Sequence, residues 1–138
     1  MIEIDNQTTL TLNTSLLQTI LASLTQRDVE LLIVNNSTIT QINKEHRGID
    51  KATDVLSFPY DMPVGMLGSI VISEEFLKKG ADQFGHSVDD ELALLFIHGV
   101  LHILGYDHEV DNGEMRQKEK ELIEEFGLPK SLIVRTQG

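Results

Sequence analysis

The sequence predicts an α/β (α+β) fold in which helices surround a small, mixed, four-stranded sheet. Three features point there. Short runs of branched apolar residues alternate with helix-period segments up to about residue 73. Beyond that point the periodicity is helical throughout. Glycines, prolines and short polar residues mark the joints.

Met1 to Ile4 reads as a short first strand. Thr14 to Leu24 reads as a helix, because Leu16, Leu17, Ile20, Leu21 and Leu24 form one stripe. Val29 to Val34 is a dense apolar run that suits a buried strand. Ser37 is expected to cap a short helix carrying Ile39 and Ile42, with Gly48 as its stop. Thr53 to Phe58 is a second strand, closed by Pro59. Tyr60 to Gly65 is a loop, and Leu67 to Ile72 is another strand. Ser73 caps a helix expected to reach Lys79 and to end at Gly80. Ser87 and Asp90 form a capping-box variant that opens a helix to about Leu104, ended by Gly105. Asp111 is expected to cap the last helix, where Met115, Leu122 and Phe126 share a face and Gly127 and Pro129 follow.

The 138 residues are expected to form one domain, 1–138, large enough to bury an apolar core without covalent staples. No cysteine occurs, which excludes disulfides and thiolate metal sites and fits a cytoplasmic location. The apolar stretch from Leu92 to Leu104 is interrupted by His98, Gly99 and His102, so it is too short and polar to cross a bilayer. No membrane partner is expected. The formal charge of -11 argues against a general nucleic-acid coat protein. The charge is uneven, however. Lys44, Arg47, Lys51, Lys78 and Lys79 are five of the eleven basic residues and fall between the middle strands. Glu109 to Glu125 is strongly acidic and reads as a solvated helix face.

Chemistry concentrates at His98-Gly99-Val100-Leu101-His102-Ile103-Leu104-Gly105-Tyr106-Asp107-His108. His98 and His102 are one helical turn apart, which puts their Cβ atoms about 5–6 Å apart on one face. Gly105 allows the left-handed turn that brings His108 back beside them. Two histidines in so apolar a helix need partners, and a metal satisfies both. Three nitrogen ligands leave a fourth position for a water, as in a catalytic zinc site at the end of a buried helix. His46 and His86 lack such company and read as surface or minor-role residues. The spacing matches the metzincin protease pattern H-E-x-x-H-x-x-G-x-x-H, but Gly99 stands where the general-base glutamate belongs. That keeps the metal reading and weakens the protease one.

The histidine block resembles the H-G-x-L-H-L-x-G-Y-D-H signature of the YbeY family of endoribonucleases and ribosomal RNA maturation factors. Asn43 to Gly48 with Asp50 to Pro59 is similar to that family's N-x-x-x-R-x-x-D-x-x-T-D-V-L-S-F-P segment, and Leu67 to Ser73 to its L-G-D-I-x-I-S strand. The resemblance implies one zinc ion on His98, His102 and His108, with Arg47 facing the metal cleft as a catalytic residue. It implies single-strand-specific RNA cleavage in ribosomal RNA maturation, including 16S 3′-end processing, and in ribosome quality control. Partners would be single-stranded or ribosomal RNA and the small ribosomal subunit or its proteins, with no DNA expected. A metzincin-like metalloprotease and a non-catalytic, zinc-stabilised assembly factor are the alternatives. Ser69 departs from the family aspartate. Asp107 is a candidate to hold a ligand ring from behind. Asp54 fits either a strand-end or a proton-carrying role, and Met115 reads first as core.

Overall fold

The computed structural model describes residues 1–133; the remainder of the expected 1–138 domain lies outside the described residues. The elements are β1 (Ile2–Asn6), α1 (Ser15–Leu24), β2 (Val29–Val34), α2 (Asn36–Arg47), β3 (Val55–Pro59), β4 (Gly68–Ser73), α3 (Glu74–Phe84), α4 (Val88–Ile103) and α5 (Glu114–Glu125). The four strands form one sheet in the order β1-β2-β4-β3. β1 pairs parallel to β2 and β2 parallel to β4, whereas β3 runs antiparallel to β4. The mixed sheet expected from the sequence is therefore present.

Strand alternation divides the core in two. Val29, Leu31, Ile33, Ile70 and Ile72 pack with α1 and α4 in the main cluster. Val34, Leu56 and Val71 point the other way and pack with Ile39 of α2. α4 is the central helix, buried on nearly every side as its sequence suggested. Phe96, Leu92 and Leu101 are fully buried there, each worth roughly 1.5–3 kcal/mol of transfer free energy. That outweighs the cost of holding two half-buried imidazoles on the same helix.

β1 shifts by one or two residues to Ile2–Asn6 and β3 likewise to Val55–Pro59, and three helix boundaries differ from expectation. Asn35, not Ser37, caps α2, its side chain accepting the Thr38 amide at 2.9 Å. Gly80 does not end α3. The helix continues to Phe84, and Gly85 at φ 70° ends it. Gly80 is instead a packing residue, since a Cβ there would run into the buried Glu91 carboxylate of α4. Asp111 satisfies the start of α5 from two residues before the cap position, which Gly113 holds. Its two oxygens accept the amides of Gly113 at 2.8 Å and Met115 at 3.0 Å. No described helix is long and apolar enough to cross a membrane.

Candidate metal centre

α4 delivers His98 and His102 from its last turns, on the side facing the end of β3. The chain then turns at Gly105, whose φ of 105° few other residues adopt, and His108 returns beside them. The three ring centroids lie 4.8, 5.3 and 5.6 Å apart. One ring nitrogen from each falls within 4.8 Å of the others, a geometry that could hold a metal ion. Among the described residues His108 Nδ1 is buried without a hydrogen-bond partner. A buried orphan nitrogen is costly in itself and fits a donor set completed by a cation. Burial holds the His102 pKa below the ordinary imidazole value, and the neighbouring His98 and His108 lower it further. The ring is thus neutral at neutral pH, the state in which an imidazole can donate to a metal.

Behind the cluster stands a carboxylate. Glu119 of α5 is buried, and its Oε1 lies 3.2 Å from His98 Nδ1. The carboxylate accepts, so Nδ1 carries the proton and Nε2 is left free. Asp107, the expected partner, builds the turn instead: its Oδ1 accepts the Glu109 amide at 3.1 Å. Glu119 escaped sequence reading because it sits within an acidic run. The available signal was its position between Met115 and Leu122 on the apolar stripe, both of which are buried core residues.

His98 and His102 open on a cleft of about 510 Å³ lined also by Arg47, Thr53, Asp54, Ser57, Asp107 and Glu109. Arg47 ends α2, exposed, and makes no ion pair or side-chain hydrogen bond among the described residues. The surface salt bridge that would be its ordinary role is not formed among the described residues. Asp54 Oδ1 accepts the Val55 amide at 2.8 Å, a strand-end role. His46 is exposed against Phe58. His86, expected at the surface, has a buried ring. Its Nε2 lies 2.7 Å from Glu91 and its Nδ1 2.9 Å from Ser131.

Two departures from motif now have physical readings. Gly99 packs α4 against β4, where an added Cβ would lie 2.9 Å from Ile70 Cγ2. The position that carries glutamate in the protease pattern is therefore filled by the sheet. Ser69 lies on the opposite sheet face from the histidines, alongside Val71, and its hydroxyl donates to Glu30 at 3.0 Å. Its change from aspartate leaves the histidine cluster untouched.

A mixed four-stranded sheet with an open three-histidine cluster at the end of its central helix is the framework of a candidate metal-dependent hydrolase. The family model described as Endoribonuclease YbeY matches residues 2–127, and the chain belongs to that family. Proteins named Endoribonuclease YbeY resemble it along their whole length. That of Sulfurimonas denitrificans is 54% identical, with 100% of both chains covered. That of Helicobacter pylori strain 26695 is 55% identical, with 99% of each covered. The solution structure of TM1509 from Thermotoga maritima superposes with a TM-score of 0.63 at 29% identity, covering 91% of this chain and 89% of that one.

Proposed function

We propose that this protein is a zinc-dependent, single-strand-specific endoribonuclease of ribosomal RNA maturation, acting at the 3′ end of 16S RNA and in ribosome quality control in the cytoplasm. His98, His102 and His108 hold the zinc. A zinc ion so bound supplies a Lewis acid and lowers the pKa of a water to roughly 7. Glu119 fixes the His98 ring and its tautomer. Arg47 binds the phosphate, where its planar fork meets two oxygens at once and offsets the charge that grows in the transition state.

The observation that carries this reading is the Arg47 guanidinium, unpaired among the described residues, on the same cleft as His98 and His102. A buried or paired arginine would serve structure; an exposed one beside a metal-type cluster suits a phosphodiester. The names of the relatives support RNA as the substrate. The small ribosomal subunit is the proposed setting, which supplies an RNA strand to a chain of charge -11.

Metal analysis of the purified protein, paired with cleavage of single-stranded RNA, tests it. Wild type is expected to carry about one zinc ion and to cut. Arg47→Ala is expected to keep the zinc and to lose roughly 100-fold or more in rate, the scale of removing one charge-stabilising donor. His102→Ala is expected to lose both. Full activity in Arg47→Ala would overturn the role given to it.

A further inference from the structure

The histidine cleft does not end at the histidines. A depression of about 400 Å³ shares its Arg47, Thr53 and Asp54 walls and adds Lys51 and Phe76. A third, of about 250 Å³, shares Asp54 and Phe76 and adds Lys79 and Phe84. The three join around Asp54 into a groove that runs from the histidines, past the end of α2, to the outer face of α3.

The two sides of the histidine cluster differ in charge. The groove toward α3 carries Arg47, Lys51 and Lys79, all exposed and none in an ion pair among the described residues. The only acidic residue lining those two depressions is Asp54, which holds the Val55 amide. On the other side, the depression beyond Gly105 is lined by Asp107, Asp111 and Glu114 and by no cation. A polyanion that reaches the histidines is therefore attracted along one side and repelled along the other. Phe76 adds the second half of a single-strand site. Its ring is half-buried in the groove wall, and the Lys79 ammonium lies over it, 5.9 Å from the centroid. A base stacked at that ring has its phosphate beside a cation, the pairing that nonspecific single-strand sites use.

We propose that this groove is the track for the single-stranded RNA flanking the cleaved bond, with Lys51 and Lys79 on its phosphates and a base on Phe76. The track deepens the nuclease reading above and rests on it for the identity of the polymer. It also gives the acidic chain its RNA-binding face. Its length lies on one side of the metal centre, so affinity grows with nucleotides on that side of the cut and not on the other.

The test uses the zinc-loaded protein and fluorescein-labelled oligouridylates of increasing length, by anisotropy across a salt series, with cleavage followed in parallel. Lys51→Glu/Lys79→Glu is expected to bind long oligomers at least 10-fold more weakly. Its log-log salt slope is expected to fall by about 1.4, for two contacts at roughly 0.7 each on a single strand. Phe76→Leu is expected to weaken binding several-fold at an unchanged slope, with an unchanged melting temperature and zinc content separating this from a folding defect. Cleavage of oligomers too short to reach Lys51 is expected to stay at the wild-type rate in both variants. Long-oligomer affinity and slope unchanged in the double variant overturn the track. If wild type cuts no RNA while the variants still lose affinity and slope as stated, the track stands and the nuclease reading fails.

Discussion

Glu119 offers the sharpest quantitative test of the metal centre. Its side chain is 3% exposed, while that of His98 is 27% exposed, so solvent screens the carboxylate end of the pair little. The single contact at 3.2 Å does two things: it orients the ring, and it keeps the proton on Nδ1 so that Nε2 can donate to the metal. A hydrogen bond to a charged partner is worth roughly 1.5–3 kcal/mol. Carboxylates behind ligating histidines typically change metal affinity by about 10–100-fold, which is about 1.4–2.7 kcal/mol. Two independent routes thus give the same range. Glu119→Leu is expected to weaken zinc binding by that factor. Glu119→Gln, which can still present an oxygen to Nδ1, is expected near the lower end. Competition with a chromophoric chelator at neutral pH measures the affinity, and thermal unfolding of the metal-free variants checks the fold. Glu119→Leu removes one partner of a buried pair and leaves His98 Nδ1 without its acceptor, so its metal-free melting temperature is expected to fall, whereas Glu119→Gln keeps an acceptor and is expected to hold it. Zinc affinity unchanged within a factor of two, or lost only in step with stability, would refute the positioning role.

Gly99→Ala is expected to destabilise the protein by roughly 1–3 kcal/mol, read by denaturant unfolding. Helix propensity alone predicts a gain of up to about 1 kcal/mol, but the new Cβ meets Ile70, which is fully buried in the sheet. Asp111→Ala is expected to lower the melting temperature at about pH 7, with the difference from wild type closing in strong acid. Amide hydrogen bonds from Gly113 and Met115 lower the Asp111 pKa in the folded chain. Its contribution is therefore complete above the unfolded value of 3.8 and is lost as pH falls through the lower folded value. RNA binding through Arg47, Lys51 and Lys79 is expected to fall about 20-fold between 50 and 200 mM salt, from three contacts at roughly 0.7 each. Salt-insensitive binding would contradict it.

What the sequence disclosed and what it hid follow one physical line. The histidine cluster was legible because its geometry is local. Two ligands one helical turn apart and a glycine turn before the third need no knowledge of the fold. The strands were legible because burial on both faces leaves dense apolar runs such as Leu31 to Val34, of which only Leu32 is half-buried. Glu119 and His86 were not legible, because each contacts an element distant in sequence. Glu119 contacts a residue 21 positions away, and His86 a serine 45 positions away. Gly80 looked like a helix stop for the same reason, since the carboxylate that requires its missing side chain belongs to the next helix. In each case a residue type with a strong local meaning was used for a non-local contact.

The net charge of -11 is the feature that fits an RNA-cutting role least well on its own terms. Position resolves the conflict more than number does. At about 0.1 M salt, exposed charges more than roughly 10 Å apart are largely screened. Carboxylates on the far face of α5 therefore bear weakly on a strand lying against α2 and α3. The groove beyond the histidines is lined by three cations and one engaged carboxylate. Beyond Gly105 it is three carboxylates to none. The acidic excess then acts as a filter. It leaves too little attraction to hold RNA along an arbitrary surface, and it rejects a strand that approaches from the α5 side. Only a strand entering beside Arg47 meets cations, an aromatic ring and the histidine cluster in succession. A basic surface of the usual kind would bind RNA tightly in any orientation, whereas the proposed track would bind it weakly and in one direction. That suits a nuclease to which the proposed ribosomal setting presents its substrate.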